Sequence, residues 1–309
     1  MSAQKVLDLT GKKLSFLPES LYQTTTLEEI ILDDNLLVSI PESIRQLTNL
    51  KTLSLYSNQL ASLPDSVWSL TNLKTLNLAE NHFSSLPEKI GDLTNLNMLD
   101  LGHNELNFLP ESFGNLRSLT FLYLSNNKLT SLPRSFRNLD KLIYLNITDN
   151  QLASLPEWIG NLTCLIELRL YNNLFSSLPE SIGNLIKLKE LHLTNNKLMS
   201  LPGSIGSLTS LKKLILQDNR LISLPASLGK LTNLTDLDLR NNNLTSLPES
   251  LGNLRNLRYL DLRANKLVSL PASILGLRNL EKLDLRWNRL SFITEWILQF
   301  EQRGCTVFT

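Results

Sequence analysis

The stretch Leu234–Asn256, LTDLDLRNNNLTSLPESLGNLRN, has leucine at positions 1, 4, 6, 11, 14, 18 and 21, asparagine at position 9 and proline at position 15. This frame recurs every 23 residues along the 309-residue chain, and all repeat positions below refer to it. Asparagine fills position 9 from Asn35 to Asn288, and proline fills position 15 from Pro18 to Pro271, which uses all 12 prolines. Self-similarity at a fixed period predicts a chain built by stacking one structural unit.

Each position of the frame predicts a local structure. The alternating leucines at positions 4 and 6 predict a short strand with both side chains turned inward. The asparagine predicts a buried amide that satisfies backbone groups of the turn and of the next unit. Proline excludes a second central strand, and the residues after it predict a short helical or 3-10 turn. Glycine at position 19 allows a close approach or a positive φ. One unit buries too little apolar surface to fold alone, so the units must stack.

These residues, with the segment L-P-E-S-I-G-N-L, resemble the 23-residue subclass of the leucine-rich-repeat family. That subclass includes bacterial proteins, notably from spirochaetes, plant intracellular Ras-group proteins and animal Ras-pathway scaffolds. The resemblance covers nearly the whole chain. It implies an α/β solenoid, a curved horseshoe with a parallel β-sheet on the concave face and short helical or 3-10 turns on the convex face. It also implies that the concave face binds other proteins.

The two ends of the chain depart from the frame. We predict a solenoid of 13 units over residues 1–293 and a C-terminal helical cap over residues 294–309. In the cap we expect Thr294 as helix N-cap, Trp296, Ile297 and Phe300 on one face, Gly304 just past the helix end, and an added strand over residues 305–308. Lys12 replaces the first asparagine, either because the terminal repeat is frayed or because upstream sequence is missing. In both cases the first strand is an exposed edge suited to self-association.

Composition limits the function and the compartment. The net charge of +1 gives no general attraction to nucleic acid or to an anionic membrane. No apolar run approaches the ~20 residues that span a bilayer, and Met1–Gln4 offers no signal-peptide core. Cys164 and Cys305 lie six units apart, too far for a disulfide within one chain. The sequence as it stands favours the cytoplasm; a removed signal peptide or a bacterial source would instead make the protein secreted or surface-exposed.

The concave face is predicted to be acidic. Its solvent-facing positions are 3, 5, 7 and 8, because positions 4 and 6 point inward. Over the first seven units these positions carry seven acidic residues and no lysine or arginine. Over the last six units they carry seven acidic and six basic residues. A face of this charge repels a phosphate backbone, so we expect no nucleic acid there.

Two groups on this face are candidate binding sites. Neighbouring strands should bring Met98, Phe121, Tyr123 and Tyr144 together, either as ordinary surface aromatics that pack on one another or as a binding anchor. Near the C-terminus, position 7 carries an arginine ladder beside aspartates at position 5, either a self-neutralising network or a charged docking strip with apolar contacts. The other candidates are Tyr56, His103, Arg169, Tyr171 and His192, and for the strip Arg240, Arg263 and Arg286 with Asp238, Asp261 and Asp284, plus Tyr259 and Trp287.

No spacing in the chain predicts catalysis or a cofactor. His82, His103 and His192 occupy unlike repeat positions, and no histidine is expected beside Cys164. The sequence therefore predicts a monomeric, non-enzymatic module that binds a protein or peptide on its concave sheet. One alternative is a glycan- or lipid-binding receptor or adhesin at a bacterial surface, which only the aromatics and amides such as Asn77 and Asn146 support. Another is a structural protein that assembles through its first strand.

Overall fold

A computed structural model describes residues 5–291 and 294–309 of the chain. It divides into two compact units, Met1–Gln151 and Leu152–Thr309. The predictions made for Met1–Gln4 and for the Thr294 side chain lie outside the described residues. The division into a 13-unit solenoid and a cap stays a prediction.

The first unit contains a parallel sheet whose strands span positions 3 to 5 of the frame. Each strand pairs with the next one in a constant register of 23 residues, so that Met98 lies opposite Phe121 and Phe121 opposite Tyr144. The strands are β1 (Val6–Asp8), β2 (Glu29–Ile31), β3 (Thr52–Ser54), β4 (Thr75–Asn77), β5 (Met98–Asp100), β6 (Phe121–Tyr123) and β7 (Tyr144–Asn146).

The second unit repeats this arrangement. Its strands are β8 (Glu167–Arg169), β9 (Glu190–His192), β10 (Lys213–Ile215), β11 (Asp236–Asp238), β12 (Tyr259–Asp261), β13 (Lys282–Asp284) and β14 (Thr306–Phe308). The last pairing places Lys282 opposite Thr306, a register of 24 residues, because the chain leaves the frame before β14. The predicted parallel repeat sheet is therefore confirmed in both units.

Proline ends the extended segment of each repeat and a five-residue 3-10 helix follows. Pro248, for example, is extended (φ −70°, ψ 145°) immediately before the turn Glu249–Asn253. These turns are Glu19–Gln23, Glu42–Gln46, Asp65–Ser69, Glu88–Asp92, Glu111–Asn115 and Arg134–Asn138 in the first unit. In the second unit they are Glu157–Asn161, Glu180–Asn184, Gly203–Ser207, Ala226–Lys230, Glu249–Asn253 and Ala272–Gly276. Their apolar side chains join the strand leucines in the core.

The position-9 asparagines form a buried ladder. The Asn127 amide nitrogen donates to the carbonyls of Leu101 (2.9 Å), Leu124 (3.2 Å) and Ser125 (3.2 Å). Its oxygen accepts from the N–H of Leu106 at 2.9 Å. The predicted satisfaction of backbone groups is confirmed, but the partners outside its own repeat lie in the preceding unit rather than the next one. An apolar residue here would leave four backbone groups of the core without a partner.

The turn after each strand is made at position 8, where the backbone is left-handed. Positive φ values between 51° and 60° occur there from Asp34 to Trp287, including Ala264 at 52°. Position 19 serves instead for close approach. A Cβ on Gly252 would lie 2.1 Å from the carbonyl oxygen of Ser273 in the next repeat.

The C-terminal segment forms a helix followed by a strand. Helix α1 spans Thr294–Gln302, and Phe300 is buried while Trp296 and Ile297 are half-buried, as their shared face predicts. Gly304 has a φ of 84°, and the N–H groups of Gly304 and Cys305 donate to Glu301 and Phe300, the Schellman pattern that ends a helix. Among the described helices none is long and apolar enough to cross a membrane.

Candidate protein-binding surface

In each unit the side chains of positions 3, 5, 7 and 8 lie on one side of the sheet, which we call the open face. On β6 the flanking residues Leu122 and Leu124 are fully buried, whereas Phe121 is 39 % exposed and Tyr123 is half-buried. The predicted inward and outward alternation is therefore confirmed along this strand.

Four of the predicted residues meet on the open face of the first unit. We call Met98, Phe121, Tyr123 and Tyr144 the aromatic patch. The Tyr123 and Tyr144 ring centroids lie 4.9 Å apart at an interplanar angle of 39°, and Phe121 lies 6.5 Å from Tyr144. Met98 joins them as the strand partner of Phe121. Tilted rings at these distances are a favourable aromatic arrangement and hold the patch in one geometry.

Acidic and amide groups border the patch. Asp100 is the strand partner of Tyr123, and its Oδ1 accepts from the N–H of Gly102 at 2.9 Å. Burial raises the pKa of Asp100, while the Gly102 N–H and the nearby His103 act in the opposite direction. His103 is exposed, and its Nε2 lies 3.2 Å from the Asn126 amide nitrogen.

The remaining predicted tyrosines lie outside the aromatic patch. Tyr56 is half-buried at position 7 of an earlier repeat, and a hydrogen bond to Glu80 raises its pKa. Tyr171 is half-buried at position 7 in the second unit. Neither residue extends the patch formed by β5, β6 and β7.

The second unit contains the predicted arginine ladder, which we call the Arg–Asp strip (Arg240, Arg263, Arg286, Asp238, Asp261 and Asp284). Nη2 of Arg263 lies 2.5 Å from Oδ2 of Asp261, and its Nε lies 3.4 Å from Oδ2 of Asp284. Nη2 of Arg286 lies 2.6 Å from Oδ2 of Asp284. Nε of Arg240 lies 3.2 Å from Oδ2 of Asp238 and also donates to Gln217. Each arginine therefore already holds an aspartate of its own chain.

The prediction that Asp284 faces solvent is wrong. Its exposed fraction is 0 %, because β14 pairs with β13 and places Phe308 directly opposite Asp284. The Arg286 guanidinium carbon lies 5.1 Å from the Phe308 ring centroid and closes the site further. Burial opposes the charge of Asp284, but the hydrogen bonds and charges of Arg286 and Arg263 outweigh it and lower its pKa. Phe308 was missed because its strand falls outside the 23-residue frame.

Asp238, at the same repeat position, behaves oppositely. Burial raises its pKa to about 6, and the hydrogen bond and charge of Arg240 only partly offset this effect. A hollow of about 210 Å³ opens beside it. The side chains that line the hollow include Asp236, Asp238, Tyr259, Asp261, Lys282 and Asp284.

Two exposed aromatics flank the strip, as predicted. Tyr259 is 40 % exposed, with the Arg258 guanidinium carbon 5.5 Å from its ring centroid. Trp287 is 70 % exposed, with the Arg286 guanidinium carbon 5.6 Å away. Arginines of the chain therefore lie against both rings.

Arg169 and His192 belong to a separate cluster on β8 and β9. Arg169 Nε lies 2.5 Å from Oε1 of Glu167, and His192 Nε2 lies 3.1 Å from Oε2 of Glu190. Lys213 Nζ is 3.1 Å from the other oxygen of Glu190. Ligand atoms of Glu167, Glu190 and His192 come within 4.8 Å of one another, close enough to share a metal ion, but both carboxylates are paired with cations. Comparing histidines only with one another missed this grouping.

Comparisons with known proteins agree with the repeat geometry. A model of a leucine-rich repeat region matches residues 61–145, 99–177 and 134–240, and a second leucine-rich-repeat model matches residues 25–83 and 232–290. The chain belongs to the leucine-rich-repeat family. No match was found among curated protein sequences.

Solved leucine-rich-repeat structures resemble the chain over most of its length. A leucine-rich-repeat protein of Leptospira interrogans is 37 % identical with a TM-score of 0.91, covering 96 % of this chain and 76 % of that one. The ectodomain of the Arabidopsis thaliana receptor kinase GASSHO1/SCHENGEN3, solved in complex with Casparian strip integrity factor 2, is 37 % identical with a TM-score of 0.72. That match covers 89 % of this chain and 37 % of the ectodomain. An internalin of Listeria monocytogenes, at 24 % identity and a TM-score of 0.84, shares the fold; the match covers 98 % of this chain and 86 % of that one.

Proposed function

We propose that this leucine-rich-repeat protein is a non-enzymatic interaction module that binds a protein or peptide on the open face of its sheet. The aromatic patch is the main contact. The observation that carries this proposal is the packing of Phe121, Tyr123 and Tyr144 into one cluster on adjacent strands, with Phe121 39 % exposed.

The family supports the general class of function. Leucine-rich-repeat proteins are generally interaction modules without catalytic activity. The plant receptor ectodomain described above was solved in complex with a protein factor, so at least one relative of the same fold binds such a partner.

The chemistry of the patch supports its use as an anchor. Tyrosine and phenylalanine bring a large contact area while only two side-chain torsions must be ordered, and tyrosine adds a hydroxyl for a hydrogen bond. Such residues dominate the binding energy of many protein interfaces. The patch lies on short paired strands that the asparagine ladder holds, so little ordering is needed when a partner binds.

The Arg–Asp strip is a second candidate contact. A hollow of about 210 Å³ and the exposed rings of Tyr259 and Trp287 favour it. Its arginines and aspartates are paired within the chain, so a partner that uses them must first break those ion pairs. We therefore place it second to the aromatic patch.

Site-specific photocrosslinking tests the proposal. Benzoylphenylalanine is introduced at Phe121 in the patch or, as a matched control, at Phe108, which is 57 % exposed at position 13, outside the open face. Each protein is irradiated in extract of the source cells, and crosslinked proteins are identified by mass spectrometry. We expect a defined partner at Phe121 and none at Phe108. Crosslinks confined to Phe108, or absent from both, would contradict the proposal.

A further inference from the structure

We infer that the partner segment seated on the aromatic patch is cationic and places a lysine or arginine side chain against the Phe121, Tyr123 and Tyr144 rings. This inference rests on the proposed function, because it specifies the chemistry of the occupant of the same surface. It follows from three observations on the described residues: the charge of the open face, the ring geometry and the position of Asp100.

The open face of the first unit is one-sided in charge. Positions 3, 5, 7 and 8 between residues 5 and 151 contain no lysine or arginine. They carry Asp8, Glu29, Asp33, Asp34, Glu80, Asp100 and Asp149. A lysine near the patch, Lys128, lies at position 10 and is engaged with Glu105 at 2.9 Å. An approaching cation is therefore attracted along the whole face, and an approaching anion is repelled.

The rings present the surface that a cation prefers. An ammonium or guanidinium group is attracted to the face of an aromatic ring within about 6 Å of its centroid. The same chain makes this contact on its own rings in the second unit, with Arg258 at 5.5 Å from Tyr259 and Arg286 at 5.6 Å from Trp287. The aromatic patch offers similar rings, and a partner would supply the cation.

Asp100 places a carboxylate next to the rings. It is the strand partner of Tyr123, and its Oδ1 is held by the Gly102 N–H. Asn77 and Asn146 occupy the same repeat position and accept the equivalent hydrogen bonds, from Ala79 at 3.0 Å and Thr148 at 3.1 Å. Asparagine therefore replaces this aspartate without loss of the turn hydrogen bond, and the substitution removes only the charge.

The first experiment identifies the occupant with a displayed library of random 12-residue peptides. Peptides are selected on the wild-type protein at pH 7.5, and those that also bind the Tyr123→Ala/Tyr144→Ala variant are removed. We expect the remaining peptides to be enriched in lysine and arginine. Replacing the basic residue by glutamine in a resynthesised peptide should weaken binding about 2- to 30-fold.

The outcomes of this selection separate the inference from the proposed function. Peptides that depend on the patch but are acidic or purely apolar would overturn the inference and leave the proposed function standing. A library that yields no patch-dependent peptide would overturn both.

The second experiment removes charge from the protein. The Asp100→Asn/Asp149→Asn variant uses residues that the repeat itself carries at these positions, since Asn126 and Asn241 share the left-handed turn of Asp149. Binding of the selected basic peptide should weaken about 2- to 25-fold, a factor of about 1.4 to 5 for each removed charge. The control Asp92→Asn/Asp140→Asn makes the same charge change at exposed residues outside the open face and should change binding less than about twofold. Equal effects of the two variants, or none from the first, would overturn the inference.

Discussion

The open face differs between the two compact units although the backbone repeats with the same register. On β5, β6 and β7 it carries a packed aromatic cluster bordered by acidic groups. On β11, β12 and β13 the same positions carry aspartates and arginines that pair with one another. The first arrangement leaves apolar surface and charge for a partner, whereas the second uses most of its charges within the chain. A repeat scaffold therefore separates its stability from its specificity, because the side chains of the open face change while the buried ladder does not.

The largest expected effect tests whether both regions share one scaffold. Asn127→Ala in the first unit and Asn242→Ala in the second should each lower the free energy of unfolding by about 2–5 kcal/mol, because each leaves four backbone groups unpaired. Urea denaturation measures the change. Asn243→Ala, at the half-buried neighbouring position, is the control and should cost less than about 0.5 kcal/mol. A large cost in one unit alone would show that the two scaffolds differ.

The next effect lies within the Arg–Asp strip. Asp284→Asn should lower the free energy of unfolding by about 2–4 kcal/mol at pH 7, because the buried carboxylate pairs with both Arg263 and Arg286. Asp238→Asn should instead raise it by about 1–3 kcal/mol, since burial disfavours the charge of Asp238. Denaturation of both variants at pH 7 compares them directly. Equal losses would mean that Asp238 is stabilised by Arg240 as strongly as Asp284 is by its two partners.

The same pair of residues gives opposite pH dependences. The pKa of Asp238 is raised from 3.8 to about 6, so the folded state keeps a proton that the unfolded state releases between about pH 4 and pH 6. The stability that this proton provides is complete below pH 4 and is lost as the pH rises to about 6. The pKa of Asp284 is lowered, so its contribution is present above its unfolded value of 3.8 and is lost as the pH falls through its folded pKa. Asp238→Asn should remove the first slope and keep the second; persistence of the first slope would contradict the assignment.

The smallest effect concerns the turn at position 8. In the first unit Asn126 occupies the left-handed conformation, with φ at 53°, and in the second unit Ala264 does so at 52°. Asparagine tolerates this conformation better than alanine, so Ala264→Asn should raise the free energy of unfolding by about 0.5–1 kcal/mol and Asn126→Ala should lower it similarly. Thermal denaturation measures both changes. A destabilised Ala264→Asn protein would show that side-chain packing, rather than backbone strain, decides this position.

Most of the fold could be predicted because each repeat states the same local constraints. Leucines at positions 4 and 6 and the position-9 asparagine fix strand, turn and core, and the constant register then brings position 3 of one strand beside position 3 of the next. Met98, Phe121 and Tyr144 are neighbours for this reason. The left-handed turn at position 8 gave no such signal, since residues as different as Ala264 and Trp287 occupy it.

The chemistry of the strip could be predicted only in part. The alternation of Arg263 and Arg286 with aspartates indicated a neutralised network, and the structure contains it. The burial of Asp284 depends on Phe308 in β14, whose pairing register departs from the frame by one residue. The opposite pKa shifts of Asp238 and Asp284 follow from that unequal burial and pairing, which a repeat position alone does not specify.

The affinity of the partner crosslinked at Phe121 tests the contrast between the two regions most directly. It is measured for Tyr123→Ala/Tyr144→Ala in the aromatic patch and for Tyr259→Ala/Trp287→Ala beside the Arg–Asp strip, with the melting temperature of each variant as a control. The patch variant should bind at least about 30-fold more weakly and the strip variant less than about fivefold more weakly, with both melting temperatures unchanged. Unchanged affinity in the patch variant, or a larger loss in the strip variant, would contradict the aromatic patch as the main contact.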